Sequence, residues 1–354
     1  MNAIPAAPGA ARFEAPDDFD AINRIYRERR WGDGLPIVPP TVERVERMLA
    51  QTRRARGDLV ARIAPGYGAA SVEHIAVNAV LAGCDPEYLP LLIAATEAVA
   101  DPRFNLQAIQ ATTNPVAAWI IVNGPAAQRL DINSTFNCLG QGAWANATVG
   151  RALRLILQNI GGALPGEMDR ATQGQPGKFT FCCAENEAEN PWQPLHVERG
   201  FAADCSTVTV VGAEGTMNMN THSKDAEELL RVIAETMMHP PSNEYCHSGE
   251  PWLILGPEHA EILSGGGFTK GEVKQRLWQL SKMPAQRMSV KDLLRVKESR
   301  TEELGEILPD TLLPIALRPE DIQIIVAGGP GTHSVYVPSF GNTYAVTREV
   351  EFQA

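Results

Sequence analysis

The segment from Phe181 to Phe201 (FCCAENEAENPWQPLHVERGF) concentrates side chains that can do chemistry. It holds two thiols, four carboxylates, three amides, an indole and an imidazole. A β-prone run that ends at Cys183 leads into this polar loop. Loops that carry Asn, Trp, Pro and His together form sites more often than spacers. The segment therefore predicts a functional site in or beside it.

His196 and Glu198 are the leading candidates for acid–base catalysis. On an extended segment, residues two apart point to the same side, so we expect the imidazole and the carboxylate to share one face. A carboxylate beside a histidine raises its basicity and fixes its tautomer, which suits a general base or a metal ligand. A metal needs a third ligand, and none stands at a recognised spacing, so metal and cofactor stay unassigned. A histidine bonded to backbone in an ordered loop is the structural alternative.

Cys182 and Cys183 offer a thiol to the same site. Neighbouring residues on a strand face opposite sides, so at most one of the two can point into a site. Cys183 is nearer the loop and is the candidate nucleophile. The alternative is that both thiols are small apolar core residues.

A glycine-rich loop, IVAGGPGTHS at 325–334, follows an apolar strand and could direct backbone amides at an anion. It lacks the Gly-Lys-Ser/Thr of a phosphate-binding loop and the GxGxxG of a dinucleotide fingerprint. A plain turn is the alternative. His333 is a further catalytic candidate at the loop exit. The expected substrate contacts here are Gly328, Gly329, Gly331 and Ser334.

We expect Asn186, Trp192 and Arg151 to contact the substrate as well. The Asn186 amide could join the glycine-loop amides in stabilising negative charge. Arg151 lies one turn into a predicted helix and could clamp a carboxylate through paired hydrogen bonds. Surface use of this arginine is the alternative.

The composition is that of a folded globular protein that does not bind nucleic acid. The 354 residues are 44% hydrophobic and 21% charged, which permits a large buried core. The net charge of −11 argues against nucleic acid, whose phosphates require a basic face. Acidic residues are dispersed, apart from a cluster that we interpret as a solvated loop unless one member is buried. The cluster comprises Glu185, Glu187, Glu189 and Glu198.

Sequence features also predict a location. No apolar run is long enough to cross a bilayer, and Met1 to Asp18 lacks the apolar core of a secretory signal. The six cysteines show no CxxC spacing, which favours reduced thiols over a disulfide scaffold. We therefore expect a cytoplasmic protein that does not associate with membranes.

The elements along the chain indicate an α/β fold. Ser71 is a predicted helix N-cap, and Thr269 with Glu272 forms a capping box. Apolar runs at 208–211, 253–255 and 322–326 lie between helices. This alternation favours a largely parallel sheet covered on both faces.

The chain also repeats a pattern. The strings WIIVNGP (119–125) and WLILGP (252–257) are each an apolar strand followed by a Gly-Pro turn. A later strand in each half runs into a loop with a histidine. Helix–strand alternation alone would produce part of this pattern. An internal duplication predicts two related α/β lobes whose histidine loops face each other across a cleft. The predicted divisions are a helical N-terminal extension at 1–57, a first lobe at 58–205 and a second lobe at 206–354.

Four strings spread over most of the chain carry a resemblance: WGDGLPIVPPT (31–41), NAVLAGCDPEYLP (78–90), IVNGP (121–125) and NPWQPLHVE (190–198). Together they resemble a bacterial family associated with UGSC-type (seleno)proteins, named for a selenocysteine- or cysteine-Gly-Ser-Cys motif. This chain contains no Cys-Gly-Ser-Cys, so the redox chemistry of that motif is not carried over. The resemblance implies no substrate and no catalytic residue, but it raises the prospect of a thiol-bearing partner subunit.

We carry three hypotheses. The first is a lyase or hydrolase that makes or breaks a carbon–heteroatom bond of a small polar or anionic metabolite by acid–base catalysis in an interlobe cleft. In it His196 transfers the proton, Glu198 orients His196, and Asn186 with the glycine-loop amides stabilises negative charge. The second is a non-catalytic or half-site subunit of a hetero-oligomeric thiol or redox complex. The third is a thiol or metal-dependent enzyme that uses Cys183 with His196. We expect a homo-oligomer or a complex with a thiol-bearing subunit.

Overall fold

Helices and strands alternate along residues 9–353, the part of the chain that the computed structural model describes. The α-helices are α1 (Phe19–Glu28), α2 (Val42–Leu49), α3 (Val72–Ala82), α4 (Leu89–Ala100), α5 (Leu106–Ala111), α6 (Pro125–Arg129), α7 (Trp144–Asn159), α8 (Leu195–Glu198), α9 (Ala226–Met237), α10 (Asn243–His247), α11 (Pro257–Gly265), α12 (Lys270–Leu280) and α13 (Val290–Leu304). Single-turn 3-10 helices lie at Pro86–Tyr88, Pro102–Phe104, Pro176–Lys178, Ala285–Arg287 and Pro319–Asp321. The strands are β1 (Leu59–Ile63), β2 (Gly68–Ser71), β3 (Ala117–Asn123), β4 (Cys182–Ala184), β5 (Thr207–Ala213), β6 (Met217–Asn220), β7 (Trp252–Leu255), β8 (Met283–Pro284), β9 (Leu312–Leu313), β10 (Gln323–Val326), β11 (His333–Val337) and β12 (Val346–Glu349). The α/β class is confirmed.

Two four-stranded sheets form the centre of the molecule, and both are mixed. The first has the order β12-β5-β3-β4 and the second β10-β7-β11-β6. In each sheet one pair is parallel, β3 with β4 and β7 with β10, and the other two pairs are antiparallel. The prediction of largely parallel sheets is therefore wrong. A parallel connection needs a crossover of about a dozen residues or more, so the short loop after β10 makes β11 run in the opposite direction to β10. Because β10 is parallel to β7, β11 pairs with β7 in antiparallel fashion.

The chain crosses twice between the two sheets. After β5 the chain crosses to the second sheet, where β6 pairs with β11. After β11 it crosses back, and β12 pairs with β5 in the first sheet. The division of the chain into 58–205 and 206–354 stays a prediction, and the sheets themselves do not divide there.

The inner faces of the two sheets pack against each other, and helices cover the outer faces. Trp119 and Ile121 of β3 point between the sheets, whereas Ile120 and Val122 join the helix-covered core. This alternation is the two-residue period of a strand with both faces buried. Helices α3, α4 and α7 contribute to the core on the first sheet, and α9, α11 and α12 to the core on the second.

Local signals correctly located two helix starts. The Ser71 hydroxyl accepts the His74 backbone N–H at the start of α3. Thr269 and Glu272 form the predicted capping box at the start of α12. Among residues 9–353, no helix has both the length and the apolar character needed to cross a bilayer.

A buried carboxylate, Glu244 of α10, ties this helix to the end of β11. Its oxygens accept the Ser339 backbone N–H at 2.9 Å, the Ser339 hydroxyl at 3.2 Å and the Tyr336 hydroxyl. These are neutral donors, and no cation pairs with Glu244 among the described residues. Burial therefore raises the pKa of Glu244 to about 7.

This burial predicts a pH-dependent stability. A carboxyl with a pKa near 7 when folded and 4.5 when unfolded stabilises the fold below pH 4.5, and that contribution is lost as the pH rises through 7. The loss is on the order of 3 kcal/mol. Glu244→Gln, which cannot ionise, should flatten the fall in unfolding free energy between pH 5 and 8, measured by denaturant titration. Glu235→Gln, at an exposed position on α9, is the control. An unchanged slope in Glu244→Gln contradicts the prediction.

Candidate functional site

The loop after β4 and the glycine loop after β10 meet at one end of the two sheets. The Asn186 backbone N–H donates to the Val326 carbonyl at 2.7 Å. On the other side of the glycine loop, the Gly328 N–H donates to the Ser134 carbonyl at 2.8 Å. These contacts join the carboxyl ends of β4 and β10, so the two segments singled out in the sequence lie side by side.

Trp192 fixes the 185–194 loop onto the second sheet and its helices. Its indole Nε1 donates to the Phe268 carbonyl at 3.0 Å, and its ring packs against the core of the second half. Trp192 therefore anchors the loop and contributes no free donor to a ligand.

Glu185 is the centre of a buried hydrogen-bond network behind this loop. One carboxylate oxygen accepts Asn123 Nδ2 at 2.6 Å and the Leu195 N–H at 2.8 Å. The other accepts Asn190 Nδ2 at 2.8 Å. Burial raises the pKa of Glu185, although these donors and the nearby Lys270 ammonium oppose the rise.

Glu187 is the second carboxylate of the network. Its Oε1 accepts the Gly124 N–H at 2.7 Å and Asn123 Nδ2 at 3.0 Å. The Asn123 amide therefore bridges Glu187 and Glu185. Asn123, Glu185, Glu187 and His196 are called the carboxylate cluster below. The Glu187 side chain is 30% exposed, whereas His196 is fully buried, so solvent reaches this carboxylate.

Two polar atoms of the carboxylate cluster are buried without a hydrogen-bond partner among residues 9–353. They are Asn123 Oδ1 and His196 Nδ1. The imidazole Nδ1 lies 3.7 Å from Glu187 Oε1, beyond hydrogen-bond distance. A buried polar atom left unpaired costs about 1–3 kcal/mol, so each such atom requires an explanation, and a role in a functional site is one.

The expected pairing of His196 with Glu198 is wrong. Leu195–Glu198 is a helical turn, so residues two apart point about 200° away from each other. The Glu198 carboxylate instead binds Lys270 at 2.8 Å and also Lys274. The carboxylate beside the imidazole is that of Glu187. On its other side, His196 Nε2 lies 3.4 Å from the Ala203 carbonyl.

Cys183 points into the packed space between the sheets, and Cys182 faces the helix side. Hydrogen bonding to Cys138, together with burial, raises the pKa of Cys183 well above its usual range. A thiolate is the nucleophilic form, so this environment opposes the predicted nucleophilic role. The alternative interpretation, a small core residue, describes Cys183 better.

His333, Ser334 and Arg151 lie outside the carboxylate cluster. His333 is exposed, with Nδ1 3.3 Å from Asn218 Oδ1. The buried Ser334 hydroxyl accepts the Gly256 N–H at 3.1 Å and lies 2.8 Å from His259 Nδ1, so it holds the turn after β7. Arg151 clamps a carboxylate as predicted, but this carboxylate is the side chain of Asp33 in the same chain.

The glycine loop has a tightly constrained backbone. Gly328 and Gly331 have φ of +115° and +147°, conformations that favour glycine. A Cβ on Gly329 would lie 2.2 Å from the Phe136 ring. Within residues 9–353 the amides of Gly329 and Gly331 donate to no protein acceptor, whereas that of Gly328 is used by Ser134.

A cleft of about 840 Å³ opens beside the two loops. It is lined by Ala188, Glu189, Asn190, Pro191, Lys224, Pro257, Glu258, Glu261, Ile262, Ser264, Gly265 and Pro330. Asn190 connects the cleft to the carboxylate cluster through its bond to Glu185. The lining contains three carboxylates and one ammonium, and that ammonium, Lys224, already pairs with Glu258. The cleft is therefore acidic.

Sequence reasoning missed Asn123 as a site residue. Its signal is a polar residue that ends an otherwise apolar strand and precedes a Gly-Pro turn. The acidic cluster was expected to be solvated unless one member is buried, and Glu185 is that member.

Among the described residues, no group of three or more His, Cys, Asp or Glu side chains is arranged to hold a metal ion. Comparisons with models of protein families and with curated proteins give no match to this chain. The functional assignment therefore depends on the geometry of the site.

Removing the Glu185 carboxylate should destabilise the protein. Glu185→Ala leaves the donors of Asn123, Asn190 and Leu195 without their acceptor, at a cost on the order of 3 kcal/mol in unfolding free energy. Urea denaturation measures the loss. Glu189→Ala, in the same loop but exposed, is the matched control and should stay within about 0.5 kcal/mol of the parent. Equal stability of the two variants contradicts a structural role for the Glu185 network.

Proposed function

We propose that this chain is an enzyme that makes or breaks a carbon–heteroatom bond of a small polar metabolite by acid–base catalysis beside the 185–194 loop. The observation that carries the proposal is the carboxylate cluster: two carboxylates share the Asn123 amide next to a buried imidazole whose Nδ1 has no hydrogen-bond partner in the described part of the chain. Paired titratable groups in different environments are a common feature of acid–base sites.

Glu187 takes the role of proton-transferring group in this proposal. Its carboxylate is the member of the cluster with substantial solvent exposure, and Gly124 and Asn123 fix its orientation. His196 is fully buried, so it acts as a positioning residue behind Glu187 and does not touch the substrate. Glu185 holds the Asn123 amide and the start of α8 in place.

Backbone amides of the glycine loop are suited to stabilise charge that develops on the substrate. The N–H groups of Gly329 and Gly331 have no acceptor among the residues that the structure describes, and Gly331 follows Pro330, which lines the cleft. Fixed amide donors stabilise an oxyanion without reorganisation during the reaction. Asn186 can add its side-chain amide, since only its backbone N–H is used by Val326.

The charge of the cleft narrows the substrate class. Glu189 and Glu261 have no partner cation among the described residues, so the lining carries an excess of negative charge. Such a surface repels anions and attracts cations. We therefore propose a neutral or cationic polar substrate rather than an anionic one.

We further infer that the two halves are related by internal duplication. Support comes from the matching order of one parallel and two antiparallel pairs in the two sheets. The tryptophans occupy equivalent places, since Trp119 lies opposite Val211 in the first sheet and Trp252 opposite Val337 in the second.

Substitution of Glu187 tests the proposal. The parent protein is incubated with pooled neutral and cationic metabolites, and their consumption is followed by mass spectrometry. Glu187→Gln should lower turnover at least about 100-fold, since it removes the proton-transferring group while keeping an amide of the same shape. Its melting temperature should stay close to that of the parent.

Glu235→Gln is the control, because Glu235 is exposed on α9 and belongs neither to the carboxylate cluster nor to the cleft lining. Full turnover by Glu187→Gln contradicts the proposed role of that residue. Turnover only after a second protein is added would favour the subunit hypothesis instead.

A further inference from the structure

A second, smaller cleft lies at the opposite end of β4 from the carboxylate cluster. Its volume is about 260 Å³, and it forms between α7 and the segment that leads into β4. The side chains that matter for its chemistry are those of Asp33, Arg154, Gln158, Asp169, Gln175 and Lys178.

One carboxylate in this cleft serves two cations. Asp169 Oδ2 accepts Lys178 Nζ at 2.6 Å and lies 3.6 Å from Arg154 Nη2. The other oxygen, Oδ1, accepts the Ala171 backbone N–H at 3.1 Å. Arg154 also donates to two neutral acceptors, Gln110 Oε1 and the Ala163 carbonyl, each at 3.1 Å.

Asp169 carries one negative charge for the two cations Arg154 and Lys178, and Asp33 does not supply a second one. Arg151 binds both of its oxygens, with Nε to Oδ2 at 2.7 Å and Nη2 to Oδ1 at 2.9 Å. Three cations, Arg151, Arg154 and Lys178, therefore face two carboxylates, Asp33 and Asp169. The difference of three minus two leaves one excess positive charge.

This excess charge is shielded from water. The side chains of Arg154 and Lys178 are 11% and 16% exposed. Burial lowers the pKa of both groups, the expected response of cations with incomplete compensation. A buried cation without its own counter-charge is costly unless an anion joins it.

We propose that this cleft binds a small monocarboxylate, held by the Arg154 guanidinium and the Lys178 ammonium. A single excess charge matches a monoanion better than a doubly charged phosphate. The volume is below the range of roughly 300–1,000 Å³ common for larger ligands, which limits the acid to a few carbons. Side-chain amides of Gln158 and Gln175 line the same space and suit a polar substituent. The site is separate from the acidic cleft and does not depend on its proposed activity.

Titration calorimetry with acetate and propionate, at constant ionic strength in chloride, tests the site. The parent protein should give saturable binding. Lys178→Gln removes the excess charge and should weaken Kd at least about tenfold. Asp169→Asn raises the excess to two positive charges and should lower Kd. This change is opposite in sign to that of Lys178→Gln, and loss of folding cannot produce it. Arg170→Gln removes an exposed cation next to Asp169 and should leave Kd unchanged.

Three results would overturn the proposal. Absence of saturable binding by either acid removes the site. Tighter binding of inorganic phosphate than of acetate replaces the monocarboxylate by a phosphate-bearing ligand. An equal loss of binding in Arg170→Gln and Lys178→Gln reduces the effect to general surface charge.

Discussion

The contact between Trp119 and Trp252 is the interaction on which the rest of the structure depends. The two indoles are fully buried and meet edge to face, with ring centroids 5.6 Å apart. Aromatic pairs in this geometry add about 0.5–1.5 kcal/mol to the energy of burying their area. Each tryptophan belongs to the strand that carries the parallel partner of its sheet. Their contact therefore sets how the carboxyl ends of β4 and β10 face each other.

The position of both loops follows from this packing. With the inner faces joined, Asn186 reaches Val326, and Trp192 reaches Phe268 in the second half. The Glu185 carboxylate of this loop is then cut off from water, so it must pair with donors of the protein. Asn123 can donate to two carboxylates only because the end of β3 lies beside the same loop.

The sequence predicted the features that depend on neighbouring residues. The α/β class, the caps at Ser71 and Thr269 and the tryptophan-bearing strands were predicted correctly. Strand direction was not predicted correctly, because strands buried on both faces, such as β5 and β7, read as continuous apolar runs whether their neighbours are parallel or antiparallel. The helical turn at His196 was missed because a residue distant in sequence stabilises its start. Glu185 caps the Leu195 N–H from ten residues away, a long-range contact that no local pattern contains.

The packing of the two sheets, and the two crossings of the chain between them, restrict how the molecule can move. A hinge that swung one sheet away from the other would have to separate their packed inner faces, including the contact of Trp119 with Trp252. Rigid-body closure around a ligand is therefore energetically disfavoured. Discrimination between ligands must come from the fixed shape and charge of each cleft, and access to them from local movements of surface loops.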